Sequence, residues 1–107
     1  VAFDPQLIIP GNGAIASGKK ALHWWLSLPQ AERPTALFCY NDLSALGALA
    51  EAYQQGVVIP DMLSVIGFDN TSLSEISIPP LSTVEQRTEE LGRLAVTSLL
   101  AALENKP

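Results

Sequence analysis

Two short apolar runs, separated by a helical pattern, constrain the fold of this chain most strongly. Residues 36–40 read Ala-Leu-Phe-Cys-Tyr and residues 64–68 read Ser-Val-Ile-Gly-Phe, and a polar residue follows each run. Such runs are typical of strands buried on both faces of a parallel sheet. Residues 43–55 carry apolar side chains at helical spacing, and a strand–helix–strand unit makes a right-handed crossover. The pattern predicts an α/β fold whose parallel sheet has helices on both faces, in three layers.

The segments on either side continue the alternation of strands and helices. Residues 6–9 predict a first strand, and residues 15–28 predict a helix with Trp25 on its buried face and Trp24 at its flank. Residues 81–85 predict a third extended segment at a sheet edge, because the preceding proline has no backbone donor. A last helix is expected over residues 88–104, with one apolar face: Leu91, Leu94, Ala95, Leu99 and Ala102.

Residues with strong local preferences mark both ends of the helix over 43–55. Asp42 is predicted to cap its N-terminus, since aspartate oxygens accept from the first backbone N–H groups of a helix. Gly56 is predicted to end it in the left-handed conformation, which costs glycine little.

Composition limits the classes of protein to which the chain can belong. Its 107 residues suit one domain, and a net charge of −5 with six scattered Lys and Arg residues excludes nucleic-acid binding by this stretch. The single cysteine, Cys39, is expected to be a buried small hydrophobe, which fits a reducing cytoplasm. With no leader and no apolar run of about 20 residues, we expect no membrane association.

Polar residues follow both buried runs at the point where a parallel sheet binds ligands. Asn41 and Asp69 lie at the carboxyl ends of the two predicted strands, so they are expected to share one rim. A carboxylate and an amide together suit a polyhydroxylated ligand such as a sugar or nucleoside. The alternative is that both are turn residues whose side chains bond the local backbone.

Evidence for catalysis or a cofactor is weak. Residues 11–16 match the G-x-G-x-x-A dinucleotide fingerprint, but Pro10 interrupts it and no acidic residue follows at the required strand end, so we interpret it as a chance match. His23 lies mid-helix with no evident partner, which favours a structural role. No spacing of Cys, His or carboxylates predicts a metal site. We therefore expect no enzyme, cofactor or metal.

An ordered series of segments resembles the lactose/galactose repressor (LacI/GalR) family of bacterial transcription regulators. The resemblance runs from about Ser17 to the end of the chain. The segments that carry it are residues 34–42 (PTALFCYND), 45–48 (ALGA), 60–61 (PD), 64–70 (SVIGFDN) and 79–86 (PPLSTVEQ).

The resemblance implies a place for the chain within a larger sensor. Residues 1–107 would be part of the C-terminal subdomain of a periplasmic-binding-protein-like sensor domain, without the DNA-binding headpiece or the N-terminal subdomain. Asn41 and Asp69 would contact the effector, and residues 81–86 would lead into a crossover between subdomains. Gly13 stands where several relatives place an aromatic residue that stacks on the ligand. Stacking would therefore come from the absent half or not at all.

The resemblance also implies a homodimer. The helix over 43–55 and the stretch 71–78 match regions that pack across a dimer in relatives. The residues expected at this interface are Leu43, Leu46, Ala48, Leu49, Ser74 and Ile76.

The function implied is effector sensing within a cytoplasmic, DNA-binding transcription regulator or repressor. Operator DNA would be bound by the absent headpiece, and a sugar or nucleoside-like effector would change the angle between subdomains. The alternative is a periplasmic sugar-binding protein of a transporter with the same fold, although residues 79–84 followed by Gln86 resemble the repressors more. A dinucleotide-binding enzyme is a distant third.

Overall fold

The computed structural model describes residues 2–105 and has a short parallel sheet with helical crossovers. Strand β1 (Ala36–Phe38) pairs in parallel with strand β2 (Ser64–Ile66), with Leu37 opposite Val65. The α/β class predicted from the alternating pattern is confirmed. The strands are β1 (Ala36–Phe38) and β2 (Ser64–Ile66), and the helices are α1 (Ile15–Ser27), α2 (Asp42–Gln54), α3 (Leu73–Ile76) and α4 (Thr88–Glu104), with 3-10 turns at Pro5–Leu7 and Gln30–Glu32.

The extended segment predicted over residues 81–85 lies beside β2. Ser82 forms a parallel bridge with Ile66, and the Gly67 N–H donates to the Ser82 carbonyl at 2.9 Å. The Asp69 N–H donates to the Val84 carbonyl at 3.0 Å. The prediction of an extended segment along the sheet edge is therefore confirmed.

Helices α1 and α2 pack closely because a glycine lies at their contact. A Cβ atom on Gly18 would lie 1.7 Å from the Ser44 carbonyl oxygen, so only glycine permits this approach. Leu22 and Trp25 of α1 form a core cluster with Ala52 of α2. Trp25 is buried as predicted, and its indole N–H donates to the Pro34 carbonyl at 2.8 Å.

The strands are shorter than predicted, and β1 is not buried on both faces within the described residues. Leu37 and Cys39 point into the core, whereas Phe38 is 64% exposed and Tyr40 is 80% exposed. The prediction of burial on both faces is wrong for this part of the chain. The reason is that α1 and α2 pack together over one face, which leaves the ring of Phe38 on the other.

The predicted first strand over residues 6–9 is absent from the structure. The Asp4 carboxylate accepts from the Gln6 N–H at 2.9 Å, and the N–H groups of Leu7 and Ile8 donate to the Asp4 and Pro5 carbonyls. These local bonds use the donors that a sheet ladder needs and fold residues 5–7 into a 3-10 turn.

Helix α4 forms as predicted but does not bury its apolar face. None of its residues is buried, and Leu91, Leu94 and Leu99 are each at least 47% exposed. The described chain measures 64 × 33 × 24 Å, which is elongated for its size. The helix therefore extends away from the body that contains the sheet.

Candidate effector site

Asn41 is held by bonds to its own helix and to the loop before α1. Its Oδ1 accepts from the Ser44 N–H at 2.9 Å and from the Ser44 hydroxyl at 2.8 Å, and its Nδ2 donates to the Gly13 carbonyl at 2.9 Å. Asn41 is thus the N-cap of α2, and the prediction that Asp42 would cap it is wrong. The amide side chain organises the loop, as the turn-residue interpretation anticipated.

Gly13 occupies a place where a larger residue would collide with its neighbours. It is buried, has a φ of +78°, and a Cβ there would lie 2.8 Å from Asn41 Nδ2 and 3.1 Å from Tyr40 Cδ1. The Gly13 carbonyl accepts a hydrogen bond from the Asn41 amide and so fixes the orientation of that side chain.

Asp69 follows β2 in an unusual backbone conformation. Its φ is +114°, and Asn70 next to it has a φ of +53°. The Asp69 Oδ1 accepts a hydrogen bond from the Gln86 side-chain amide, and among the described residues no partner bonds its Oδ2. The half-buried carboxylate therefore has one oxygen that accepts no hydrogen bond from residues 2–105.

The two predicted polar residues meet in one open depression, which we term the rim cup. It has a volume of about 450 Å³ and lies at the carboxyl ends of β1 and β2. Three aromatic and three polar residues line it: Phe38, Tyr40, Asn41, Phe68, Asp69 and Gln86.

A second cavity lies next to the rim cup and shares part of its wall. Its volume is about 380 Å³, and it separates the segment around Ile8 and Ile9 from β1. Gly13 lines this cavity and not the rim cup, whereas Phe38 and Tyr40 line both. The aromatic side chains thus form a partition between two adjoining spaces.

A buried carboxylate behind the rim cup fixes the loop that follows Asp69. Asp42 is fully buried, and its Oδ2 accepts from the Thr71 N–H at 2.7 Å and from the Thr71 hydroxyl at 3.0 Å. Its Oδ1 accepts from the Thr83 hydroxyl at 2.5 Å. Sequence reasoning missed this cluster, because its members are 29 and 41 residues apart and no local pattern links them.

Glu85 beside this loop is also held by hydrogen bonds. The Asn70 side-chain amide donates to its Oε2 at 2.5 Å, and this bond, with one from the Arg87 backbone, lowers the pKa of the Glu85 carboxyl.

The six residues expected at a dimer interface divide into two groups. Leu43 is 41% exposed, Ile76 is 73% exposed and Leu46 is half-buried, so their side chains can reach a partner. The others are buried inside the chain, which corrects their assignment to a surface: Ala48, Leu49 and Ser74. Ala48 lies against Gly18 of α1, and Leu49 packs with Leu81.

The surroundings of two other side chains, Glu51 and Cys39, shift their pKa values. His23 lies 2.9 Å from the buried Glu51, a partner that sequence analysis did not find. A hydrogen bond from Gln55 and the proximity of His23 lower the pKa of the Glu51 carboxyl, although its burial acts in the opposite direction. Burial raises the pKa of the Cys39 thiol to about 11.

Residues 2–105 contain neither a cluster of metal-ligating side chains nor a helix that could span a membrane. Within them no three His, Cys, Asp or Glu side chains converge as a metal site would require. No helix there has the length and apolar character needed to cross a bilayer.

Comparison with known proteins identifies the family. The family model of the periplasmic binding protein-like domain matches residues 5–107. The chain is 42% identical over 106 residues to the HTH-type transcriptional repressor PurR of Aliivibrio fischeri (strain MJ11), covering 99% of this chain and 32% of that repressor.

Two solved structures show the same likeness. A regulatory protein of the LacI family from Chloroflexus aggregans superposes with a TM-score of 0.91 at 34% identity, over all of this chain and 38% of that one. A LacI family transcriptional regulator from Lactobacillus casei with bound sucrose gives a TM-score of 0.77 at 26% identity, over 88% of this chain and 34% of that one. The chain spans about a third of the length of the curated relatives it matches. It belongs to the periplasmic binding protein-like domain family, and the proteins that it resembles are transcription repressors and LacI-family regulators.

Proposed function

We propose that the intact protein is a transcription repressor controlled by a small polar effector, and that the rim cup is one half of its effector cleft. The observation that carries this proposal is the meeting of Asn41 and Asp69 with three aromatic side chains at the carboxyl edge of a parallel sheet. The family and the repressors it includes support the assignment. A sugar or nucleoside-like effector would suit this lining.

The effector would act by holding two subdomains together. Asp69 would accept hydrogen bonds from ligand hydroxyls through its unpaired oxygen, while the opposite half of the cleft contacts the other side of the ligand. Binding would change the angle between the halves and shift a population of DNA-competent molecules. The shift can be no larger than the difference in effector affinity between the two states.

The remaining parts of the protein would supply DNA binding and the second subdomain. We propose that operator DNA is bound by a headpiece in the cytoplasm and not by this acidic stretch. The body of the chain would be the C-terminal subdomain, reached across residues 81–86. Because the apolar face of α4 is exposed, that helix would pack on the part of the sensor beyond the crossover.

A homodimer would form through a surface that joins α2 and α3. Leu43, Leu46 and Ile76 are the candidate contact residues that remain accessible. An isologous interface would bring the same three side chains from each subunit together. The protein would have no enzymatic role, which its repressor relatives support.

A titration on the intact protein tests the proposal. Candidate sugars and nucleosides are titrated by calorimetry, and operator DNA is selected by the protein from a random-sequence pool. An effector should change operator affinity, and Asp69→Ala should weaken effector binding by about ten- to a hundredfold, as expected for a charged hydrogen bond of about 1.5–3 kcal/mol. Operator affinity without effector should remain near the wild-type value.

Two outcomes would contradict the proposal. Unchanged effector affinity with a lowered melting temperature would make Asp69 a turn residue only. A ligand that binds without altering DNA binding would favour the alternative of a periplasmic sugar-binding protein. The exposed Asp61 supplies a matched control, since Asp61→Ala should change neither property.

A further inference from the structure

Tyr40 presents an aromatic ring to solvent at the edge of the sheet. It lies two residues beyond Phe38 on the same face, and the two side chains are 80% and 64% exposed. Phe68, at the end of β2, adds a third ring to the same depression. Exposed aromatic surface concentrated in a concave site is typical of ligand binding rather than of a turn.

The ring of Tyr40 also occupies the space that a side chain at position 13 would need. A Cβ on Gly13 would lie 3.1 Å from Tyr40 Cδ1 and 3.2 Å from Cε1. These distances are shorter than ordinary carbon–carbon contacts of about 3.5–4.0 Å. A large side chain at position 40 in this orientation therefore requires glycine at position 13.

This geometry provides a candidate stacking group within the chain that the sequence analysis did not consider. Glycine at position 13 removes one aromatic candidate, and Tyr40 brings another to the neighbouring space from the end of β1. The ring separates the rim cup from the second cavity and faces both.

We propose that Tyr40 is a specificity-determining residue that stacks on the apolar face of a ring in the effector, while Asp69 binds donors at the edge of that ring. The inference rests on the proposed function and deepens it. The ligand class is a ring compound that has one flat or apolar face and hydroxyl or amine groups at its rim. Nucleosides and pyranose sugars share this chemistry, and the experiment distinguishes them.

The test uses the intact protein with adenosine, cytidine, D-ribose and D-glucose as probes in calorimetric titrations. Aromatic stacking on a base is worth about 1–3 kcal/mol, so Tyr40→Ala should weaken the tightest-binding probe by roughly five- to a hundredfold. Tyr40→Phe keeps the ring and should stay within about threefold of wild type. Tyr53→Ala removes the other tyrosine, 86% exposed on α2, and should leave affinity unchanged.

A Tyr40→Trp variant provides a signal that a structural role would not produce. Its indole should report binding by a saturable change in fluorescence above the background of Trp24 and Trp25, with the dissociation constant that calorimetry gives. Stronger binding of the nucleosides would identify the stacked group as a base, and stronger binding of the sugars would identify it as a pyranose face.

The outcomes separate this inference from the function on which it rests. If Asp69→Ala abolishes binding while Tyr40→Ala leaves it intact, the stacking role is overturned and the effector site stands. If none of the four ring compounds binds the wild-type protein, the assigned ligand class is overturned. Loss of binding in Tyr40→Phe as large as in Tyr40→Ala would also overturn stacking, because the hydroxyl would then be the group that matters.

Discussion

The buried Asp42 carboxylate makes a strong prediction about stability. Asp42→Ala removes the acceptor for the Thr71 N–H and for the hydroxyls of Thr71 and Thr83. Hydrogen bonds to a charged group contribute about 1.5–3 kcal/mol each, but three that share one carboxylate do not add fully. Water can replace the acceptor for the exposed Thr71, and less easily for the half-buried Thr83. We expect the free energy of unfolding to fall by about 3–5 kcal/mol.

Smaller substitutions in the same cluster should give a graded series. Thr83→Val keeps the shape of the side chain and removes two bonds, the one to the Asp42 carboxylate and the one from the Asn70 N–H, so it should cost about 1.5–3 kcal/mol. Asp61→Ala changes an exposed aspartate and should remain within about 0.5 kcal/mol of wild type.

Urea unfolding of the intact sensing domain, followed by the fluorescence of the buried Trp25, measures all three variants. Hydrogen exchange over residues 71–84 would show whether the loop opens first. An Asp42→Ala variant as stable as Asp61→Ala would refute the reasoning, as would a Thr83→Val variant less stable than Asp42→Ala.

Three further predictions follow from burial and from the pKa shifts. Ala48→Glu should unfold the domain, at a cost above about 3 kcal/mol, because it puts a charge into the core, whereas Ile76→Glu should fold normally and weaken self-association in light scattering. Cys39 should react with a thiol reagent at neutral pH far more slowly than after denaturation, since its pKa is about 11 in the fold. Because the pKa of Glu51 is lowered, its contribution to stability is present above pH 4.5 and is lost as the pH falls further. Glu51→Gln should therefore reduce the loss of stability at acid pH, and an unchanged loss would contradict this.

Local patterns were sufficient to predict most of the regular elements. The helix over residues 15–28 and the extended segment beside β2 were predicted because apolar spacing and proline placement act within a few residues. The prediction of a first strand over residues 6–9 was wrong for an equally local reason. Asp4 and two neighbouring carbonyls bind the N–H groups that would have paired with β1.

The site was predictable only in part, because its details depend on distant contacts. The rule that ligands bind at the carboxyl ends of parallel strands predicted that Asn41 and Asp69 share one rim. The hydrogen bond from Asn41 to the Gly13 carbonyl could not be predicted in this way, because it joins residues 28 positions apart. The assignment of Ala48 to a dimer surface failed because α2 is apolar around most of its circumference. Sequence alone cannot tell which side of such a helix faces the chain's own core.

The backbone of Asp69 carries a consequence for how this protein can evolve. Glycine adopts a φ of +114° without strain, whereas other residues lose roughly 1–3 kcal/mol of folding free energy there. Replacement by glycine would relieve that cost and remove the carboxylate at the same time. If Asp69 binds the effector as proposed, this position exchanges folding stability for ligand affinity, and a lineage that no longer needs its effector would gain stability by losing this side chain. Retention of an acidic residue here would consequently mark the regulators that still respond to a ligand.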